Sequence, residues 1–100
     1  MSTLFTIKES LFARSALYEQ LFFACAGDSI VLMEDAVLAL QSPIALSSFV
    51  AKANSFGIQV YAMASDVELR GVETKQPEID IIDYDTLVDL VLNHDKQVAW

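Results

Sequence analysis

The segment Ser29-Ile30-Val31-Leu32-Met33 is almost wholly apolar, and a further apolar run, Ile58 to Met63, follows it after a stretch with helical spacing. A strand without polar alternation is buried on both faces, which requires a parallel sheet with helices above and below it. The rest of the chain repeats this alternation. Thr3 to Ile7 reads as a strand, after which Ser10 can cap a helix reaching about Ala26, with Gly27 as its left-handed stop. Beyond Glu34-Asp35 comes a short helical piece, Ala36 to Gln41. Ser42-Pro43 then opens a longer helix with a capping residue and a proline at the first helical position. On that helix Ala45, Leu46, Phe49, Val50, Ala53 and Phe56 fall in one arc, opposite Ser48, Lys52 and Ser55, and Gly57 ends it. Ser65-x-x-Glu68 after the third strand has the form of a capping box for a helical turn or two that Gly71 closes. Val72 to Pro77 is a loop, Ile79 to Ile82 a fourth strand, and Asp83 or Asp85 caps a helix to about Asn93. Gln97 to Trp100 supplies a short fifth strand. Strands alternating with helices of this length predict parallel pairing, right-handed crossovers and a three-layer α/β/α fold with a mainly parallel sheet of about five strands.

One hundred residues make a single domain, 1–100. One cysteine and one histidine can form neither an internal disulfide nor a four-ligand zinc site. The core must therefore do its work unaided, yet 54% of the residues are apolar, and exchanging the three tyrosines for the three glycines in that count leaves it unchanged. Ordinary soluble domains run at about 45 to 50%. A chain this small has too much surface to hide the excess, so part of it is expected to cover a partner, and the isolated chain is expected to self-associate. The excess is no membrane signal. The longest charge-free stretch, between Asp35 and Lys52, is broken by Gln41, Ser42, Pro43, Ser47 and Ser48. Lys8, Glu9 and Arg14 likewise interrupt any signal-peptide-like apolar run, so a cytoplasmic location with a reduced thiol is expected. The net charge is −8, with five acids and two bases in residues 1–50 and nine acids and four bases in 51–100. Without clustered Lys and Arg, direct nucleic-acid binding is not expected.

Four features could carry function. Cys25 is a candidate nucleophile or persulfide carrier, but at the end of the first predicted helix, one turn after Leu21, it reads as a packed core residue with no activating base nearby in sequence. Asp35, Asp66 and Asp83 all follow predicted strands, where ligands bind open parallel sheets. With Lys8 as a phosphate contact they would suit a metal-dependent signalling module, and as ordinary helix caps they would need no metal. His94 is placed as a dipole partner at a helix C-terminus, and no glycine-rich phosphate loop or other cofactor signature is present. The first helix has an apolar arc of Leu17, Leu21, Ala24 and Cys25 and a second cluster of Phe12, Ala16 and Phe23. Either both belong to one wide stripe, or the second meets a partner. Trp100 either folds on its own sheet edge or anchors a partner.

Ile30-Val31-Leu32-Met33-Glu34-Asp35-Ala36-Val37, Val60-Tyr61-Ala62-Met63 with Asp66 to Gly71-Val72, Ile82-Asp83-Tyr84 and the closing Gln97-Val98-Ala99-Trp100 resemble the DsrH/TusB family of sulfur-relay proteins in order and spacing. The resemblance covers nearly the whole chain. It implies a flavodoxin-like fold and a role as the small third subunit of a heterohexamer with DsrE/TusD-like and DsrF/TusC-like partners. Such a complex passes persulfide sulfur, either towards thiolation of the tRNA wobble uridine or in intracellular sulfur oxidation. The resemblance further implies a non-catalytic subunit, because in TusB-type members the active cysteine belongs to the TusD-like partner. Where some DsrH-type members carry a cysteine in the first helix, this chain has Gln20, five residues from Cys25 and about 140° away round a helix. Where the family commonly has Asp-Gly after the second strand, this chain has Asp35-Ala36.

Overall fold

The apolar runs become the middle of a five-stranded sheet. The computed structural model describes residues 2–8, 25–41, 43–72 and 79–99. Its strands are β1 (Thr3–Ile7), β2 (Ser29–Leu32), β3 (Gln59–Met63), β4 (Asp80–Ile82) and β5 (Lys96–Ala99). Every described pairing is parallel and the spatial order is β4-β3-β2-β1-β5. Phe5, for example, stands between Ile30 on one side and Val98 on the other. The chain thus steps outward from β1 to β4, then returns across the sheet to lay β5 against β1. This all-parallel α/β architecture is the expected one.

The reversal of direction decides which face each connection covers, because parallel crossovers are right-handed. A 3-10 segment at Glu34–Gln41, helix α1 (Pro43–Ser55) and helix α2 (Ala64–Leu69) serve one face. Helix α3 (Tyr84–Asn93), on the return path, serves the other. On the first face Phe5, Ile7, Ile30, Leu32, Val60 and Ala62 pack with Ala36, Val37 and Leu40 and with Phe49, Val50 and Ala53 of α1. On the second, Leu4, Val31, Met63 and Ile82 are covered by partly buried Leu87 and Leu90 of α3. Side chains alternate along each strand, so the odd and even residues of β1 feed different cores.

Gly57 shows why α1 must stop where it does. Its φ of +77° lies in the left-handed region, and a Cβ there would sit 3.1 Å from the Cβ of Ala26. Its carbonyl also accepts the Gly27 N–H at 3.1 Å, so the turns before β2 and β3 are tied together. Left-handed backbone also occurs without glycine: Glu34 has φ 49°, two residues beyond the end of β2. That conformation costs roughly 1 to 2 kcal/mol in a residue with a Cβ.

Several local expectations are corrected. The helical piece after β2 begins at Glu34 rather than Ala36 and is of 3-10 type. Phe56, placed inward by its helical angle, lies in the turn beyond the last residue of α1 and is 38% exposed. The Ser65-x-x-Glu68 capping box does not form: β3 runs directly into α2, Met63 occupies the cap position, and no side chain caps it. Ser65 is consequently already inside the helix. Of the expected loop 72–77, Val72 is buried and the remainder lies outside the described residues.

Candidate functional site

The carboxyl ends of β2, β3 and β4 carry the acids that the sequence singles out. Asp35 and Asp66 come together on Arg70, whose guanidinium lies 3.2 Å from the Asp35 carboxylate and 3.3 Å from that of Asp66. The Asp66 pair is an (i, i+4) contact within the α2 region, whereas the Asp35 pair spans 35 residues and joins the 3-10 segment to α2. A cation supplied by the chain itself therefore occupies the space between these carboxylates. Asp83 is engaged elsewhere: it caps α3 by accepting the Thr86 N–H at 2.9 Å. That hydrogen bond holds its carboxyl below the ordinary carboxylate value. Lys8 follows β1 and is exposed. Among the described residues, no group of three or more His, Cys, Asp or Glu side chains is arranged to hold a metal ion.

Cys25 is exposed, which corrects the expectation of a packed thiol. That expectation placed it on a helix continuing to Ala26. In the structure Cys25 is outside any helix and Ala26-Gly27 form a turn, so the helical arc that would carry the thiol inward does not reach it. Its backbone is held by Asp28, a residue the sequence reading passed over. The buried Asp28 carboxylate accepts the Thr3 N–H at 2.8 Å and the Cys25 N–H at 2.7 Å. The Asp28 N–H donates to the Cys25 carbonyl, and its own carbonyl accepts from Gln59. One side chain thus anchors the starts of β1 and β2 together; nothing in the local sequence distinguishes it from an ordinary turn aspartate.

His94 lies at the same end of the sheet as Asp28. Its Nδ1 lies 2.6 Å from the Leu90 carbonyl and its Nε2 3.0 Å from the Ser29 hydroxyl. The Leu90 contact fits an Nδ1–H donor, leaving Nε2 to accept from Ser29. The imidazole therefore fastens the last turn of α3 to the start of β2, a partner 65 residues away that sequence spacing cannot reveal.

The most unusual surface is the outside of α3. None of its residues is buried. At 100° per residue, Leu87 and Leu90 define the side against the sheet, and Leu92 falls nearly opposite them, beside Val88 and Tyr84. These outward side chains are 76%, 52% and 64% exposed respectively, and Val91 at the margin is 38% exposed. Asp85 and Asp89, both exposed, flank the stripe, and the last turn carries no basic residue. The sequence signal was available, since Tyr84, Val88 and Leu92 recur at intervals of four. Phe12, Ala16, Phe23 and Trp100, the residues assigned to a partner surface from sequence, lie outside the described residues.

Comparison with known proteins agrees with this architecture. The family model described as "DsrH like protein" matches residues 9–97. A protein named TusB from Photorhabdus laumondii is 34% identical over 76 residues, which is 74% of this chain and 76% of that one. Protein TusB from Cronobacter sakazakii is 36% identical over 76 residues, covering 75% and 77% of the two chains. In fold, the chain is similar to the crystal structure of the ychN protein from E. coli, with a TM-score of 0.66, 15% identity and full coverage of both chains. The chain belongs to the DsrH-like family of sulfur-relay proteins, to which the TusB proteins are its relatives. No helix among the described residues is long and apolar enough to cross a membrane.

Proposed function

We propose that this chain is the DsrH/TusB-type subunit of a cytoplasmic sulfurtransferase complex, joined with DsrE/TusD-like and DsrF/TusC-like subunits, and that it contributes surface and shape while a partner carries the persulfide. The observation that carries this reading is the family match over residues 9–97. In such a relay a thiolate attacks the outer sulfur of a persulfide, the S–S bond breaks, and the donor leaves as a thiolate without net oxidation. A subunit that holds donor and acceptor in register can serve that step without a thiol of its own.

The test is co-expression with the DsrE-like and DsrF-like proteins of the same genome. The three are expected to co-purify, and deleting this chain is expected to lower either 2-thiouridine at the tRNA wobble position or the rate of sulfur oxidation. Mass spectrometry of tRNA nucleosides separates the two pathways. Phe12, Ala16, Phe23 and Trp100 are part of the proposed partner surface. Purified alone, the chain is expected to form a dimer or larger assembly burying roughly 1,200 Å² or more, and replacing Phe12 and Phe23 together by Ser is expected to weaken it. A monomer at micromolar concentration in sedimentation would remove that part of the reading.

The exposed position of Cys25 favours a second reading, in which the chain itself carries sulfur on this thiol. The exposed thiol is expected to react rapidly with an alkylating reagent before unfolding. Sulfane sulfur retained on Cys25, together with lost relay activity in Cys25→Ser, would select the carrier reading; intact activity in that variant selects the surface-supplying one.

A further inference from the structure

We propose that the outer face of α3 seats a second protein subunit of the relay whose contacting surface is an apolar groove rimmed by lysine or arginine. This rests on the relay reading above and adds to it the docking surface and the character of what docks.

Three observations carry it. First, α3 is apolar on two sides: Leu87 and Leu90 turn to the sheet, while Tyr84, Val88 and Leu92 turn to solvent. A helix serving only its own core shows charge where Leu92 stands, and a stripe of this kind marks a groove-binding anchor set at i, i+4 and i+8. Second, the stripe has a charged border of one sign. Asp85 and Asp89 run beside it, and Asp80 and Asp83 are exposed just before it. Complementary charge at the rim of an apolar contact selects the partner and steers its approach.

Third, the border argues against a second copy of the chain. An antiparallel two-fold contact between two such helices keeps the acidic flank of each on the same side, so Asp85 and Asp89 would face their counterparts. A partner with a basic rim meets the same stripe without that opposition.

The test uses the full chain and its co-expressed DsrE-like and DsrF-like neighbours, with affinity measured by titration at low and moderate salt. Val88→Asp with Leu92→Asp is expected to weaken binding by about tenfold or more while leaving the urea midpoint near that of the parent, because both side chains are exposed. Asp85→Lys with Asp89→Lys is expected to weaken binding chiefly at low salt and to flatten its salt dependence. This second variant alters only exposed residues, so it carries the test if the first does not fold. Parent-like affinity and salt dependence in the variants would overturn the proposal while leaving the relay reading intact. A parent chain that binds neither subunit would overturn both. Self-association of the parent chain that is abolished by the Val88 and Leu92 changes, with subunit binding retained, would make a second copy the occupant and overturn the basic partner.

Discussion

The two faces of the sheet use the same kind of side chain to different ends. Beneath the 3-10 segment and α1, Phe49, Val50, Ala53, Val37 and Ala36 are each at most 1% exposed and fill the space against Ile30, Leu32 and Val60. Beneath α3, strand residues such as Leu4 and Val31 are equally hidden, yet the helix that hides them has no buried residue of its own. Burial of the sheet and burial of the helix are separate quantities. One face is packed closely by its covering helix; the other keeps an apolar exterior on α3, the surface proposed above to seat another subunit.

The contrast can be broken most directly at its extremes. Phe49→Ala should cost about 3 to 5 kcal/mol, because it opens a cavity in a close-packed region, and Leu92→Ser should stay within roughly 0.5 kcal/mol in the isolated chain. Urea unfolding of the two variants checks this, and comparable losses would mean that α3 is as integral to the core as α1. The next effect lies at the seam between the faces. Asp28→Ala removes the acceptor of the Thr3 and Cys25 N–H groups and should cost roughly 1 to 3 kcal/mol for each donor left unpaired. Faster hydrogen exchange at both amides would locate the loss.

A smaller change of opposite sign is expected on the closely packed face. Glu34→Gly relieves the left-handed backbone but adds freedom to the unfolded chain, leaving a net gain of about 0.5 kcal/mol or less. A loss would show that the Glu34 side chain itself contributes. The smallest effect belongs to α3 and depends on pH. The folded Asp83 carboxyl titrates below its unfolded counterpart, so its contribution is present above the unfolded value and fades as pH falls through the folded one. Asp83→Asn keeps a capping oxygen without that titration. Its urea midpoint should therefore fall less than the parent's from about pH 4 downwards, and identical curves would assign the acid response to other carboxylates.

The elements were legible where one segment carried the whole signal. Ile30-Val31-Leu32 could only be a doubly buried strand, Asp83 stood one residue before a periodic helix, and Gly57 marked a turn that needs its geometry. Legibility failed where a neighbour decided. The box at Ser65 and Glu68 looks like a helix start, but the strand before it leaves no residue outside the helix to act as the cap. Cys25, expected on a helix, lies outside any helix and beside the Ala26-Gly27 turn. The Arg70 bridge to Asp35 and the His94 contact with Ser29 join residues 35 and 65 apart, distances set by strand order and not by local pattern. The stripe on α3 was periodic enough to see, but telling its inner side from its outer side required knowing which face of the sheet lay beneath it.

The position of β5 has a bearing on how the molecule opens locally. This strand follows α3 in sequence and lies at the sheet edge against β1. The Ser2 carbonyl accepts N–H groups from Asp95 and Lys96, and the Ser2 N–H donates to the Asp95 carboxylate at 2.9 Å. β5 is an exposed edge strand, and together with the His94 contact to Ser29 it fixes the end of α3. Local opening at this edge therefore loosens α3 while the packing beneath α1 persists. The outer surface of α3 is thus presented in one orientation only while that edge stays closed.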